Sequence, residues 1–161
     1  DYRKMAIELD RLAHLEARLA IEDLNTNFCH YLDHGDVDKL IALFTIDANY
    51  SHGTRLSVGV TQISQLFSQR ASAGTRTARH MYSGLKVDFV SPTVATGHSV
   101  CMTFADNSRP PISPATPFLV ADFSDEYVRE ADGRWLIAKR HIERIFVDSK
   151  NNGPIGQTAS S

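Results

Sequence analysis

Seven histidines and two cysteines are the residues of this 161-residue chain that could carry out chemistry. An imidazole can move a proton near neutral pH or ligate a metal. Cys29 and Cys101 alone can build neither a disulfide scaffold nor a zinc site. Asp33 stands at the expected end of a long helix, where the macrodipole disfavours negative charge. A cation or imidazolium nearby would offset that. His80 opens a stretch with strand rhythm, and Tyr50 ends a short one, with a hydroxyl that could donate to a carbonyl or enolate oxygen. His98 shares strand parity with Val94, Val100, Met102 and Phe104, a face that could line a cavity, with His98 assisting a leaving group. His141 falls on the weaker-looking face of its strand, opposite Leu136, Ala138, Arg140, Ile142 and Phe146. His30 and His34, four apart on a helix, could meet an ion with His52, but no general-base Glu accompanies them, and no metal is expected. His14 reads as surface. Glycine-rich phosphate loops, the nucleophile elbow and C-x-x-C are all absent from the sequence, so no cofactor is expected.

The elements that must position these groups follow from periodicity. Met5, Leu9, Leu12, Ala13, Leu19, Leu24, Phe28, Tyr31 and Leu32 predict a helix over 5–32, stopped by Gly35. Val37, Leu40, Ile41 and Phe44 predict a short second helix, and Asp47–Tyr50 a short strand. Gly53 and Gly59 bracket a loop or hairpin. Ile63, Leu66 and Phe67 predict a third helix that ends near Gly74. Four long strands follow: Met81–Phe89, Val94–Phe104, Phe118–Arg129 and Trp135–Val147, with Ser91-Pro92 and Asp132-Gly133 as turns. A Pro- and Ser-rich loop covers 106–117. Helices first and hairpin-linked strands afterwards predict an α+β domain over 1–148, one antiparallel sheet curled around helices, followed by a polar tail, 149–161.

Composition narrows the partners. Seventeen Lys and Arg against nineteen Asp and Glu give a net charge of −2, no footprint for nucleic acid or an anionic membrane. No apolar run reaches membrane-spanning length, and the first residues are polar, so the expectation is a cytoplasmic protein acting on a small molecule. Apolar positions expected on the outer sheet face, Val128, Ile137 and Val147, suggest a homo-oligomer.

Three segments together resemble the SnoaL-like branch of the nuclear-transport-factor-2-like superfamily. They are Phe28–Phe44 with its Tyr31-Leu32-Asp33-His34-Gly35-Asp36 turn, Thr77–Met81, and Asp125–Trp135 with Asp132-Gly133-Arg134. The resemblance implies a cone-shaped α+β barrel over roughly 10–147. It also implies a catalytic dyad, because Asp33 and His80 match the Asp at the end of the first helix and the His at the start of a long strand in dehydratases and dehydrochlorinases of this superfamily. In that reading Asp33 orients the ring and His80 takes a proton beside a leaving group, as in the Asp–His half of a hydrolase triad. Tyr50, His98, Met102 and Phe104 would meet the substrate, an apolar cyclic or polyketide-like molecule, with Met81 and Val100 beside them. The implied function is a cofactor-independent lyase. Polyketide cyclisation or isomerisation is close chemistry, although the proton-carrying carboxylate of ketosteroid isomerases has no clear counterpart, Asp106 lying in the polar loop. The alternatives are a small subunit of an aromatic-ring hydroxylating dioxygenase and an inert ligand-binding module. Trimers and dimers both occur among similar proteins.

Overall fold

A computed structural model describes residues 2–149. Helix α1 spans Tyr2–His34, α2 Val37–Ile41 and α3 Gly59–Ser72. The strands are β1 Phe44–His52, β2 Arg55–Val58, β3 Thr77–Ser91, β4 Val94–Asp106, β5 Leu119–Arg129 and β6 Trp135–Val147. They form one curled, unclosed sheet in the order β2-β1-β6-β5-β4-β3, an α+β arrangement with the helices held against its concave face. The expected tail, beyond Ser149, lies outside the described residues.

The sheet is not wholly antiparallel. β1 runs parallel to β6, and the short β2 pairs back on β1 as a hairpin, where the sequence suggested only a loop or hairpin. Phe44, expected to close α2, instead begins β1: Leu43 O accepts from the Ile137 amide, which draws the chain into the sheet at once.

The inner face of α1 carries Ile21, Leu24, Asn25, Phe28 and Cys29. Phe28 is its hub, its ring 6.2 Å from Phe44, 6.3 Å from Tyr50, 6.4 Å from Phe67 and 6.3 Å from Phe123. These edge-on and tilted contacts are the preferred geometry for aromatic rings. Met5, Leu12, Leu15 and Leu19 remain exposed, so the helical rhythm of the first turns does not mark core there.

Two bulges decide which side chains face inward. In β3, Ser83 pairs with Val100 and Lys86 with His98, so β3 advances three residues against two in β4. Gly84 takes the extra place with φ +65°, a left-handed conformation that costs glycine little. Ala78, His80 and Tyr82 thus share the inner face with Leu85, Val87 and Phe89, although their parities differ. In β6, Glu126 faces Lys139 and Tyr127 faces Ile137, so an added residue brings Trp135, Ile137, Arg140 and Ile142 to one interior. Ile137 is fully buried, which corrects its expected place on the outer face.

Candidate active site

Along α1, Asn25, Cys29 and Asp33 follow at four-residue steps, which stacks them on one helix face. The first two are buried against the sheet, and the third arrives at the open end of the cone. Gly35, at φ +70°, then ends the helix and lets Asp36 N–H close onto Tyr31 O. His80 lies on the inner side of β3, paired across the ladder with buried Thr103.

Asp33 and His80 meet twice. His80 Nδ1 donates to Asp33 Oδ1 at 2.6 Å, and the His80 backbone N–H donates to Asp33 Oδ2 at 2.9 Å. The ring is 10% exposed and the carboxyl side chain 5%. With both carboxylate oxygens occupied, the acid is fixed in rotation and position. Burial pushes the His80 pKa below its ordinary value, and the Asp33 hydrogen bond and charge offset part of that while the charges of Arg70 and Arg76 add to it. The imidazole is therefore neutral near pH 7, with its proton on Nδ1 and a lone pair on Nε2. That is the state a general base needs.

A cleft of about 330 Å³ opens beside Asp33, at the low end of the range for small-molecule pockets. Leu32, Val37, Leu40 and Phe67 supply its apolar wall, and Arg70 and Arg76 its cations.

Tyr50 is buried against Phe28, Phe44 and Phe67. Burial pushes its pKa up, and the charges of Arg70, Arg140 and Arg55 act in the opposite direction, so the hydroxyl stays a proton donor within their field.

The other expected substrate contacts are not brought to this site. On β4 the buried positions are Ala95, Gly97, Ser99, Cys101, Thr103 and Ala105, the parity opposite to the one expected. His98 is exposed on the outer face, where Nδ1 meets Ser124 Oγ at 3.3 Å. Met102 and Phe104 are half-buried on that same outer side, and Met81 and Val100 are 46% and 45% exposed. The reason is that β4 turns its small residues inward, with Gly97 beneath the Tyr127 ring, while its larger apolar side chains point away. His141 also lies outside, bonded to Ser51 Oγ at 2.7 Å. His52 Nε2 accepts from Arg144 Nε at 3.0 Å, and burial with neighbouring cations lowers its pKa to about 4. His30 and His34 stack at 4.3 Å, and His34 Nδ1 is taken by His30 O. Among the described residues no group of three potential metal ligands occurs. Asp106 accepts from the Ser108 hydroxyl in the loop, away from the dyad.

Two features escaped sequence reasoning. One is Arg70, although Ile63, Phe67 and Arg70 follow a core-facing helical spacing that could have revealed it. The other is a buried polar network. Arg140, fully buried, donates from Nε and Nη2 to the two oxygens of Asp125, each at 2.8 Å, and from Nη2 to Asn25 Oδ1. Tyr127 donates to Asp125, and Asn25 Nδ2 donates to Tyr127 Oη and Ile21 O. The guanidinium stands 4.3 and 4.7 Å from the Phe28 and Phe123 ring centres. Asp125's charge and hydrogen bonds raise the Arg140 pKa against its desolvation. Arg140 Nη1 is buried with no hydrogen-bond partner among the described residues. Cys29 stands between Asn25 and Asp33 on the same face of α1. An acid and an arginine at facing inward positions of neighbouring strands were the available signal.

An open α+β cone with an Asp–His pair at its mouth defines a class shared by enzymes and binding proteins alike. Within it the chain is specific: residues 13–141 match the SnoaL-like domain, and the protein belongs to that family. Solved structures agree on the fold. A presumptive scytalone dehydratase from Novosphingobium aromaticivorans superposes with a TM-score of 0.74 at 23% identity, covering 91% of this chain and 97% of that one. Type 3 hexachlorocyclohexane dehydrochlorinase from Novosphingobium barchaimii gives 0.73 at 20% identity, covering 86% and 92%. ActVI-ORFA from Streptomyces coelicolor gives 0.70 at 19% identity, covering 80% and 97%. A search of curated proteins finds no significant match. Among the described residues no helix is long and apolar enough to cross a membrane.

Proposed function

We propose that the protein is a lyase that eliminates water or halide from a small cyclic or polyketide-like molecule, with His80 as base and Asp33 as its orienter. The observation that carries this reading is the doubly bonded Asp33–His80 pair, 2.6 and 2.9 Å, beside a cleft. His80 Nε2 takes a proton from a carbon next to an activating group. The C–H pair becomes the new double bond, and the neighbouring carbon releases halide with its bonding electrons. A hydroxyl leaves as water after accepting the proton that the imidazolium now holds. A base so placed contributes about 10²–10⁴-fold. Tyr50 is the candidate donor to negative charge that develops on the substrate. Cyclisation or isomerisation begins with the same proton abstraction. The likeness to a dehydratase and a dehydrochlorinase supports the elimination reading at the level of fold.

The test is a panel of β-hydroxy and β-halo cyclic ketones and acids, followed for alkene absorbance and for released halide. Wild type converts members of the panel, and His80→Ala and Asp33→Asn do not. If wild type is inert throughout and the chain co-purifies with a larger iron protein, the dioxygenase-subunit reading replaces this one.

The outer sheet face is proposed to meet further copies of the chain. Met81, Val90, Val100 and Phe146 are large apolar residues left exposed there, whereas Val128 is half-buried and Val147, opposite buried Leu119, is on the inner side of its strand end rather than the outer face expected for it. Phe146→Asp lowers the mass seen by light scattering if this face is the interface.

A further inference from the structure

We propose that the substrate of this site carries a carboxylate, seated on Arg70; the inference rests on the elimination reading for the group's purpose, not for its binding. Arg70 is in the last turn of α3 and lines the same cleft as Asp33. Its guanidinium is only partly exposed and makes no hydrogen bond or ion pair with any described residue. A desolvated guanidinium with no direct ion pair is costly: burial lowers the Arg70 pKa, and the charges of Tyr50 and Asp33 offset only part of that. The negative end of the α3 dipole makes the position tolerable but leaves the five N–H donors unused.

No carboxylate of the cleft can take that place. Asp33 is the acid among the lining residues, and both its oxygens are committed to His80. Arg76 adds a second cation to the wall, its Nη1 on Asn107 Oδ1 at 3.0 Å. The cleft thus presents, at Arg70, a planar two-pronged donor whose N–H groups no described residue takes. That geometry matches a carboxylate better than any neutral oxygen.

The placement serves the chemistry. A free carboxylate makes the adjacent C–H less acidic, and pairing it with a guanidinium lessens that penalty. As His80 Nε2 takes the α-proton, charge moves onto the carboxylate oxygens that Arg70 already holds. Elimination then gives the α,β-unsaturated acid and the leaving group.

The test compares 2-naphthoate with its neutral isostere 2-naphthamide by titration calorimetry on the full chain. Wild type should bind the carboxylate about 10- to 100-fold more tightly, the worth of a charge-assisted hydrogen-bonded pair. Arg70→Gln should remove the preference, and Arg70→Lys should keep part of it. Equal binding of the two probes by wild type, binding of neither, or a preference that survives in Arg70→Gln would overturn the proposal. So would its loss in Arg76→Gln alone. Should Arg70→Gln not fold, Arg70→Lys must still weaken naphthoate more than naphthamide, since a point charge replaces the fork. His80→Ala should leave the preference intact. A preference without any turnover of the panel would therefore fail the elimination reading and leave the anchor standing.

Discussion

Replacing Asp33 by Asn alters one heavy atom and should move the His80 ring proton to the other nitrogen. The carboxylate takes two donors, the His80 ring Nδ1–H and the His80 backbone N–H. The backbone donor cannot turn away. The asparagine must therefore place its carbonyl oxygen there and its NH₂ against Nδ1, which becomes an acceptor. The ring proton shifts to Nε2, and that nitrogen has no lone pair left to take a proton. The opposite amide orientation sets NH₂ against a backbone N–H at about 2.9 Å and leaves both donors unsatisfied, a penalty of about 1–3 kcal/mol. The hydrogen bond and negative charge that hold the His80 pKa up are lost as well, so it falls further. Activity should drop about 10²–10⁴-fold, the range of a general base with its tautomer wrong. Both side-chain contacts persist in neutral form, so folding should lose less than about 3 kcal/mol. Long-range ¹H–¹⁵N correlation of the His80 ring reads the tautomer without any substrate. A proton still on Nδ1 in Asp33→Asn, with more than about a tenth of the activity kept, would refute the reasoning.

Arg140→Met strands the Asp125 charge in the interior and should cost about 3–5 kcal/mol, a fall in Tm of roughly 6–20 °C by calorimetry. Gly97→Ala puts a Cβ 2.6 Å from Tyr127 Cε2 and 3.0 Å from its hydroxyl, and the urea midpoint should report about 1–3 kcal/mol lost to overpacking. Acid should weaken the fold through its depressed histidines. Folded His52 resists protonation until about pH 4 and His80 is also held below its ordinary value, so between about pH 6.5 and 4 the unfolded chain binds more protons and stability falls with pH. Urea midpoints that stay flat across this window would contradict both shifts.

The helices and four long strands were legible because their periods of 3.6 and 2 persist over many residues. The choice of face was less so. Parity assumes an unbroken pleat, and the extra residues at Gly84 in β3 and beside Lys139 in β6 break it. Read by parity, Met81 belongs with Leu85 and Val87; in the structure His80 does. On β4 the error had another source, because the small residues Ala95, Gly97 and Ala105 look like a weak core face until the Tyr127 ring must fit over Gly97. Asp33 was legible as an acid in an unfavourable place, and its partner only through family resemblance, since 47 residues of chain separate it from His80. Arg70 and Arg140 were passed over because a charge at a core-facing position reads as an interruption of the pattern rather than as part of it.

The extra residue at Gly84 has a consequence for how activity can be lost within such a family. The half of β3 that holds His80 and the half that packs against α1 are out of phase by one pleat, and a single codon keeps them so. Deleting that codon would leave Asp33 and His80 in the gene. Yet one half of the strand would have to turn over, presenting Arg79 and Met81 to the interior or expelling Val87 and Phe89 from it. Packing of the apolar half would win, and the imidazole would face solvent. The proposed dyad of a SnoaL-like chain can thus be taken apart by a change in strand length that leaves both of its residues in the sequence.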